Sequence, residues 1–175
     1  RLLIRTWHLG IIKEQIFDEV YFVVFAKNYL SHTTFFDIHP PLGKLIIALP
    51  IKLFGDSQFN WRVSQAIFGT ALVPLAYFTG KELANRTVGI FSAIIIALDG
   101  MLLVYSRTGL MDIFMVFFIL LAFFSFFKFA NHHKISFLIL AGIFLGLATS
   151  VKYIAGLTIL TFLLIIKVKN VPIKK

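Results

Sequence analysis

Long apolar runs broken by short basic segments dominate the chain. Residues 63–80 form the first clear run, followed by 87–105 and 109–127. A longer stretch covers 135–167, with Ser150 and Lys152 near its middle. As one helix it would extend about 50 Å, against a hydrocarbon core of roughly 30 Å. The pattern therefore predicts two spans, 135–149 and 154–167, meeting at a polar elbow. Residues 1–12 read as the end of a first membrane helix and 13–61 as an external loop. Within that loop, 42–54 is shorter and carries Lys44, Pro50 and Lys52, so it is expected to lie at the interface as a helix rather than to span. The predicted fold class is all-α: a polytopic transmembrane helical bundle with a large external first loop containing interfacial helices.

Composition supports lipid as the solvent. Of the 175 residues, 59% are hydrophobic and 14% charged, where a soluble domain would be near half apolar and about a quarter charged. The net charge of +9 would suit nucleic acid in a soluble protein. Here the bases cluster between and after the apolar runs, which is a topological signal, and no nucleic-acid partner is expected. The basic segments are Lys81 to Arg86, Lys128 to Lys134, and Lys167 to Lys175. The positive-inside rule makes that side cytoplasmic. The other side then receives 13–61, the 99–108 turn and the 150–153 elbow, and with them Glu14, Asp18, Glu19, Asp37, Asp56, Asp99 and Asp112. Asn85-Arg86-Thr87 matches a glycosylation sequon but falls on the inner side. Gly142 and Gly146 form a GxxxG pair, which points to helix packing. Cysteine is absent, which excludes a disulfide framework and thiolate metal sites and leaves the redox compartment open. No signal peptide opens the chain, and without an initiator Met it is expected to be a piece of a longer protein.

The external set carries the candidate chemistry. In Phe17-Asp18-Glu19, adjacent acids project about 100° apart on a helix, so they can serve different partners: one as a general base, the other on a metal or a sugar hydroxyl. The alternative is an acidic pair solvating a helix start. In His39-Pro40-Pro41-Leu42-Gly43-Lys44 the two prolines make a stiff, non-helical turn and Lys44 follows at the start of the amphipathic run, so a His and a Lys are presented at headgroup depth, where a phosphate could be held. Trp61-Arg62 has the character of an interface anchor. Arg107 and Asp112 are five apart, outside the usual helical pair spacing, and are ionisable groups at span ends. Lys152 in the elbow must snorkel, pair, or face a watery site. An acid pair plus several cations on one face is what transfer from a lipid phosphate requires. A transporter or channel subunit would instead spread polar residues through the membrane depth.

These blocks, together with Phe68-Gly69, Ser106-Arg107 and Gly146-Leu147-Ala148-Thr149-Ser150-Val151-Lys152-Tyr153, occur in the order seen in protein O-mannosyltransferases, and the chain resembles the N-terminal third or so of such an enzyme. The resemblance implies a C-type glycosyltransferase that moves mannose from a polyprenyl (dolichyl) phosphate donor to Ser or Thr of a secreted or translocating protein acceptor, with inversion. It implies Asp18 as base, with Glu19, His39, Lys44, Arg62, Arg107 and Lys152, and Asp112 beside them, shaping the donor and acceptor sites. No metal site is expected among these residues, and a divalent cation requirement stays open. Relatives that glycosylate lipid A share an acid pair and a Pro-Pro-Leu turn, so a lipid or glycan acceptor is the alternative. A multi-pass location follows, in the plasma membrane of a prokaryote or the endoplasmic reticulum of a eukaryote, with the active site on the external or lumenal face.

Overall fold

The computed structural model describes residues 2–169, the side chains of Val168 and Lys169 excepted. Lys169, Lys174 and Lys175 of the last basic segment and Arg1 of the first helix thus lie wholly or in their side chains outside the described residues. Among the described residues the structure is helical throughout: α1 (Leu2–Thr6), α2 (Glu19–Leu30), α3 (Leu42–Phe54), α4 (Gln58–Leu83), α5 (Arg86–Leu98), α6 (Gly100–Tyr105), α7 (Asp112–His132), α8 (Ile135–Val151), a tight 3-10 turn at Tyr153–Leu157, and α9 (Thr158–Lys169).

Two of these helices, α4 and α7, are long and apolar enough to cross a membrane. At 26 and 21 residues they extend about 39 and 32 Å. The shorter apolar helices α5 and α8 fold back on them as hairpins, and α4 packs on α7 to join the two hairpins. Local chemistry starts the helices. The Ser57 hydroxyl accepts from the Asn60 N–H at the head of α4, and the Asn85 side chain accepts from the Val88 N–H at the head of α5. The α4–α5 turn is closed by glycines. A Cβ on Gly89 would lie 2.5 Å from the Tyr77 carbonyl oxygen, and one on Gly80 would lie 2.6 Å from Ser92 Oγ. Only glycine permits backbones this close.

One run breaks where the periodic reading has it continuous, and two local features add detail to that reading. The run 87–105 is two helices, because the Asp99 carboxylate accepts from the Leu102 N–H at 2.6 Å and caps a new helix at Gly100. The elbow lies at Lys152, in extended conformation (φ −145°, ψ 131°), and the segment after it begins as a 3-10 turn before α9. Trp61 is buried, and its indole N–H donates to Asp56.

Helices α2 and α3 share one core with the spanning hairpins. Phe22, Val23 and Ala26 of α2 meet Ile47, Ala48 and Ile51 of α3, together with Leu72, Met111, Phe114 and Val151. The opposite face of α3 leaves Leu45, Leu49, Leu53 and Phe54 exposed, and α5, α8 and α9 carry similar outward apolar residues. Such continuous apolar exterior suits a lipid environment. A second core of Ala122, Phe126, Phe127, Ala141 and Phe162 joins α7, α8 and α9, with the Phe126 and Phe162 rings stacked at 4.5 Å.

Candidate active site

The acid pair divides at the head of α2. Phe17 precedes it with φ +54°, a left-handed conformation uncommon for a bulky residue, and the helix starts one residue after Asp18. Asp18 stands at the cap position, yet its side chain caps nothing. Asp18 instead lines an open cavity of about 270 Å³, together with Tyr21, Phe22, Phe36 and His39.

Glu19 points the other way and is fully buried. Arg62 Nε donates to Oε1 and Nη2 to Oε2, each at 2.7 Å, in a bidentate pair. The Ile16 N–H donates to Oε2 at 3.0 Å and the Gly109 N–H donates to Oε1. Burial pushes the Glu19 carboxyl up, but the Arg62 hydrogen bonds and the two backbone donors outweigh it and hold the group below its ordinary value. Arg62 is equally committed. Besides Glu19 it donates to the carbonyls of Leu9, Ile12 and Glu14, so all five of its N–H groups are used. Gly109 is required for this approach, since a Cβ there would sit 3.0 Å from Val23 and 3.2 Å from Glu19.

The His-Pro-Pro-Leu-Gly-Lys block builds the cavity's other wall. Pro41 takes the cap position of α3 with φ −75°, which places Lys44 in the first turn, wholly buried. Lys44 Nζ donates to Asp37 Oδ2 and, at 2.7 Å, to the His39 carbonyl. Asp37 Oδ1 accepts from the His39 N–H at 3.0 Å. Burial raises the Asp37 carboxyl, but Lys44 and the His39 N–H lower it further, so it stays below the usual range. The His39 backbone is therefore clamped from both sides, while its ring lies 5.9 Å from that of Phe22. Gly43 lets α3 approach α7, because a Cβ there would meet Met111 Sδ at 2.6 Å.

Lys152 reaches across from the elbow. Its Nζ donates to both oxygens of Asp112, at 2.8 and 2.9 Å, and lies 5.8 Å from the Phe22 ring centre. Arg107 binds the end of α1, donating to the carbonyls of Ile4 (2.6 Å), Arg5 (3.2 Å) and Trp7 (2.8 Å). Arg107 and Arg62 both line a largely apolar cavity of about 350 Å³ with Leu9, Ile12, Ile16 and Leu103.

The sequence-derived residues are thus brought to one end of the bundle, but not as a ring of free cations. Lys44, Arg62 and Lys152 each hold a carboxylate, and Arg107 holds three carbonyls. Among the described residues no group of three or more His, Cys, Asp or Glu is placed to hold a metal. The sequence reading missed Asp37 as the partner of Lys44, although it lies only two residues before His39. It also missed Phe22, between His39 and Lys152, and the backbone donor of Gly109.

Two family models described as dolichyl-phosphate-mannose-protein mannosyltransferase match the chain, one over residues 38–175 and the other over 1–61. The chain is 34% identical to dolichyl-phosphate-mannose–protein mannosyltransferase 4 of Candida albicans, over 90% of this chain and 24% of that protein. It is 36% identical to the polyprenol-phosphate-mannose–protein mannosyltransferase of Corynebacterium glutamicum, over 71% of this chain and 28% of that protein. The chain therefore spans about a quarter of the length of the curated relatives it matches. Its fold superposes on the solved Saccharomyces cerevisiae Pmt1–Pmt2 protein O-mannosyltransferase complex bound to the sugar donor, with a TM-score of 0.84, 31% identity, and coverage of 95% of this chain and 26% of that one. By sequence and by fold, the chain belongs to the dolichyl-phosphate-mannose–protein mannosyltransferase family.

Proposed function

We propose that the protein containing this chain transfers mannose from a polyprenyl or dolichyl phosphate to Ser or Thr hydroxyls of proteins, inverting the anomeric centre, with Asp18 as the base. The acceptor oxygen attacks the anomeric carbon from the face opposite the phosphate. Its proton passes to the Asp18 carboxylate as the carbon–oxygen bond to phosphate breaks, and the phosphate leaves with that electron pair. A hydroxyl is a poor nucleophile until its proton is taken, so a carboxylate must lie within about 3 Å of it. The observation that carries this reading is the division within the acid pair. Glu19 is saturated by four N–H donors, whereas Asp18 lines an open cavity with no capping bond.

The cations take two roles in this reading. Lys44 and Arg62 are positioning residues, spent on fixing His39 and Glu19. Among the described residues Lys152 and Arg107 keep N–H groups beyond those given to protein acceptors, and in this reading they meet the donor phosphate. In the full-length enzyme, Asp18→Asn is expected to retain donor binding and to lose about 10²-fold or more in transfer rate. Lys152→Ala and Arg107→Ala are expected to weaken donor binding. Near-normal transfer by Asp18→Asn in folded protein would remove the base, and unchanged donor affinity in both cation variants would move the phosphate elsewhere.

The site faces the external or lumenal side, with 13–61 outside and 81–86, 128–134 and 167–175 in the cytoplasm, in line with the lysines and arginines of those segments. Because the chain lacks cysteine, single-cysteine labelling is a direct check. Labelling at position 132 from outside intact cells would refute this orientation.

A further inference from the structure

A second cavity, of about 390 Å³, adjoins the one that holds Asp18 and shares Asp37 and His39 with it. Its volume is in the range of ligand sites. Its polar lining comes from Asn28 at the end of α2 and from His32, Thr33 and Thr34 in the turn that follows. The turn is a built structure. His32 adopts φ +55°, the Thr33 N–H donates to the Asn28 carbonyl at 3.0 Å, and the Ser31 and Thr33 hydroxyls bond at 2.8 Å. Phe25, in the first cavity, stacks on Phe35, in the second, at 4.8 Å, so one aromatic pair partitions the two. Past that partition the cavities meet at Asp37 and His39, which Lys44 holds in place.

The lining selects a class of ligand. Asn28, His32 and Thr34 make no side-chain hydrogen bond among the described residues, and they offer amide, imidazole and hydroxyl groups. Phosphate binding would call for cations, yet the one formal charge here, Asp37, is negative and already paired with Lys44. A prenyl chain would need an apolar wall throughout. Neutral donors and acceptors at the rim of an aromatic floor suit the N–H and C=O groups of an extended polypeptide.

We infer that this second cavity seats the acceptor polypeptide immediately beside the residue that receives the sugar. The inference rests on Asp18 acting at the acceptor hydroxyl, since the shared residues Asp37 and His39 then link the reacting residue to its neighbours along the chain. Recognition through backbone and small polar groups makes the site tolerant of sequence and intolerant of bulk.

The test uses the full-length enzyme, its lipid-phosphate donor and a short peptide with a single threonine among alanines. Asn28→Ala and the near-isosteric Thr34→Val are each expected to raise the peptide KM about tenfold while the donor KM stays unchanged. A raised donor KM with an unchanged peptide KM would give the cavity to the donor sugar and overturn the inference. Unchanged KM for both substrates would also overturn it. A fluorescent version of the peptide with valine in place of threonine reads binding alone. Weaker binding in the cavity variants, alongside normal transfer by Asp18→Asn, would sink the base and leave the cavity standing. Unaltered peptide binding, alongside loss of transfer by Asp18→Asn, would sink only the cavity.

Discussion

Asp18 and Glu19 are neighbours in sequence and opposites in structure. Glu19 is enclosed by the bundle, with Arg62 from α4, Ile16 from the preceding loop and Gly109 from the segment before α7 all directed at it. Asp18 opens onto a cavity walled by side chains from α2 and the 36–39 segment and is bound to none of those three. The difference shows how two adjacent carboxylates can be divided, with one enclosed by its partners and the other left facing a cavity. The buried member ties three segments together, and its enclosure sets the direction in which the other points. Chemical availability follows from which partners are already present, not from residue type.

The largest effect expected from breaking this contrast is at the hub. Arg62→Ala would leave the Glu19 carboxylate buried without its counter-charge, a change that typically costs about 3–5 kcal/mol. Full-length protein carrying it should show a strongly lowered thermal midpoint in detergent or fail to accumulate, while Asp18→Asn should stay near the parent. Equal stability of Arg62→Ala and the parent would refute the hub. Acid provides the next test. Glu19 and Asp37 are both held below their ordinary values in the folded state, so their contribution to stability is complete above the ordinary carboxylate range, roughly pH 4, and is lost as pH falls through the depressed values. Unfolding free energy measured against pH should drop over that acidic window, and less steeply in Glu19→Gln than in the parent. The smallest effect is expected at Lys27, whose Nζ lies 2.7 Å from Asp56 and 4.5 Å from the Trp61 ring centre. The pair lies at the surface, with Lys27 partly and Asp56 largely exposed, so Lys27→Ala should cost no more than about 1 kcal/mol, and less in high salt. A loss comparable to that of Arg62→Ala would place this surface latch among the main ties.

Much of this architecture is legible in the sequence because lipid imposes a simple rule on it. The apolar runs locate α4, α7 and α8 to within a few residues, and the prolines before Lys44 mark the start of α3. Asp99 misleads periodicity for a local reason: one carboxylate caps a helix inside an otherwise continuous apolar run. The pairings are harder to read. Lys152 meets Asp112 across 40 residues and Arg62 meets Glu19 across 43, and no local spacing encodes such contacts. Which member of the acid pair is enclosed depends on Gly109, 90 residues on from Glu19, so the local Asp-Glu pattern leaves the choice open.

That last separation also bears on biogenesis. The glycine-closed turn between α4 and α5 joins Gly80 to Gly89, a short closure with a small entropic cost, and a growing chain can complete it as soon as α5 has emerged. The partner set of the Glu19 carboxylate is completed later: Ile16 and Arg62 precede the hairpin turn, but Gly109 lies beyond both of its helices. A nascent chain synthesised as far as residue 100 can therefore contain a finished hairpin and still hold an unfinished enclosure around its acid. The polypeptide must extend through the segment that precedes α7 before Glu19 is fully sheltered, and until then the carboxylate has its Arg62 and Ile16 donors but lacks the one from Gly109.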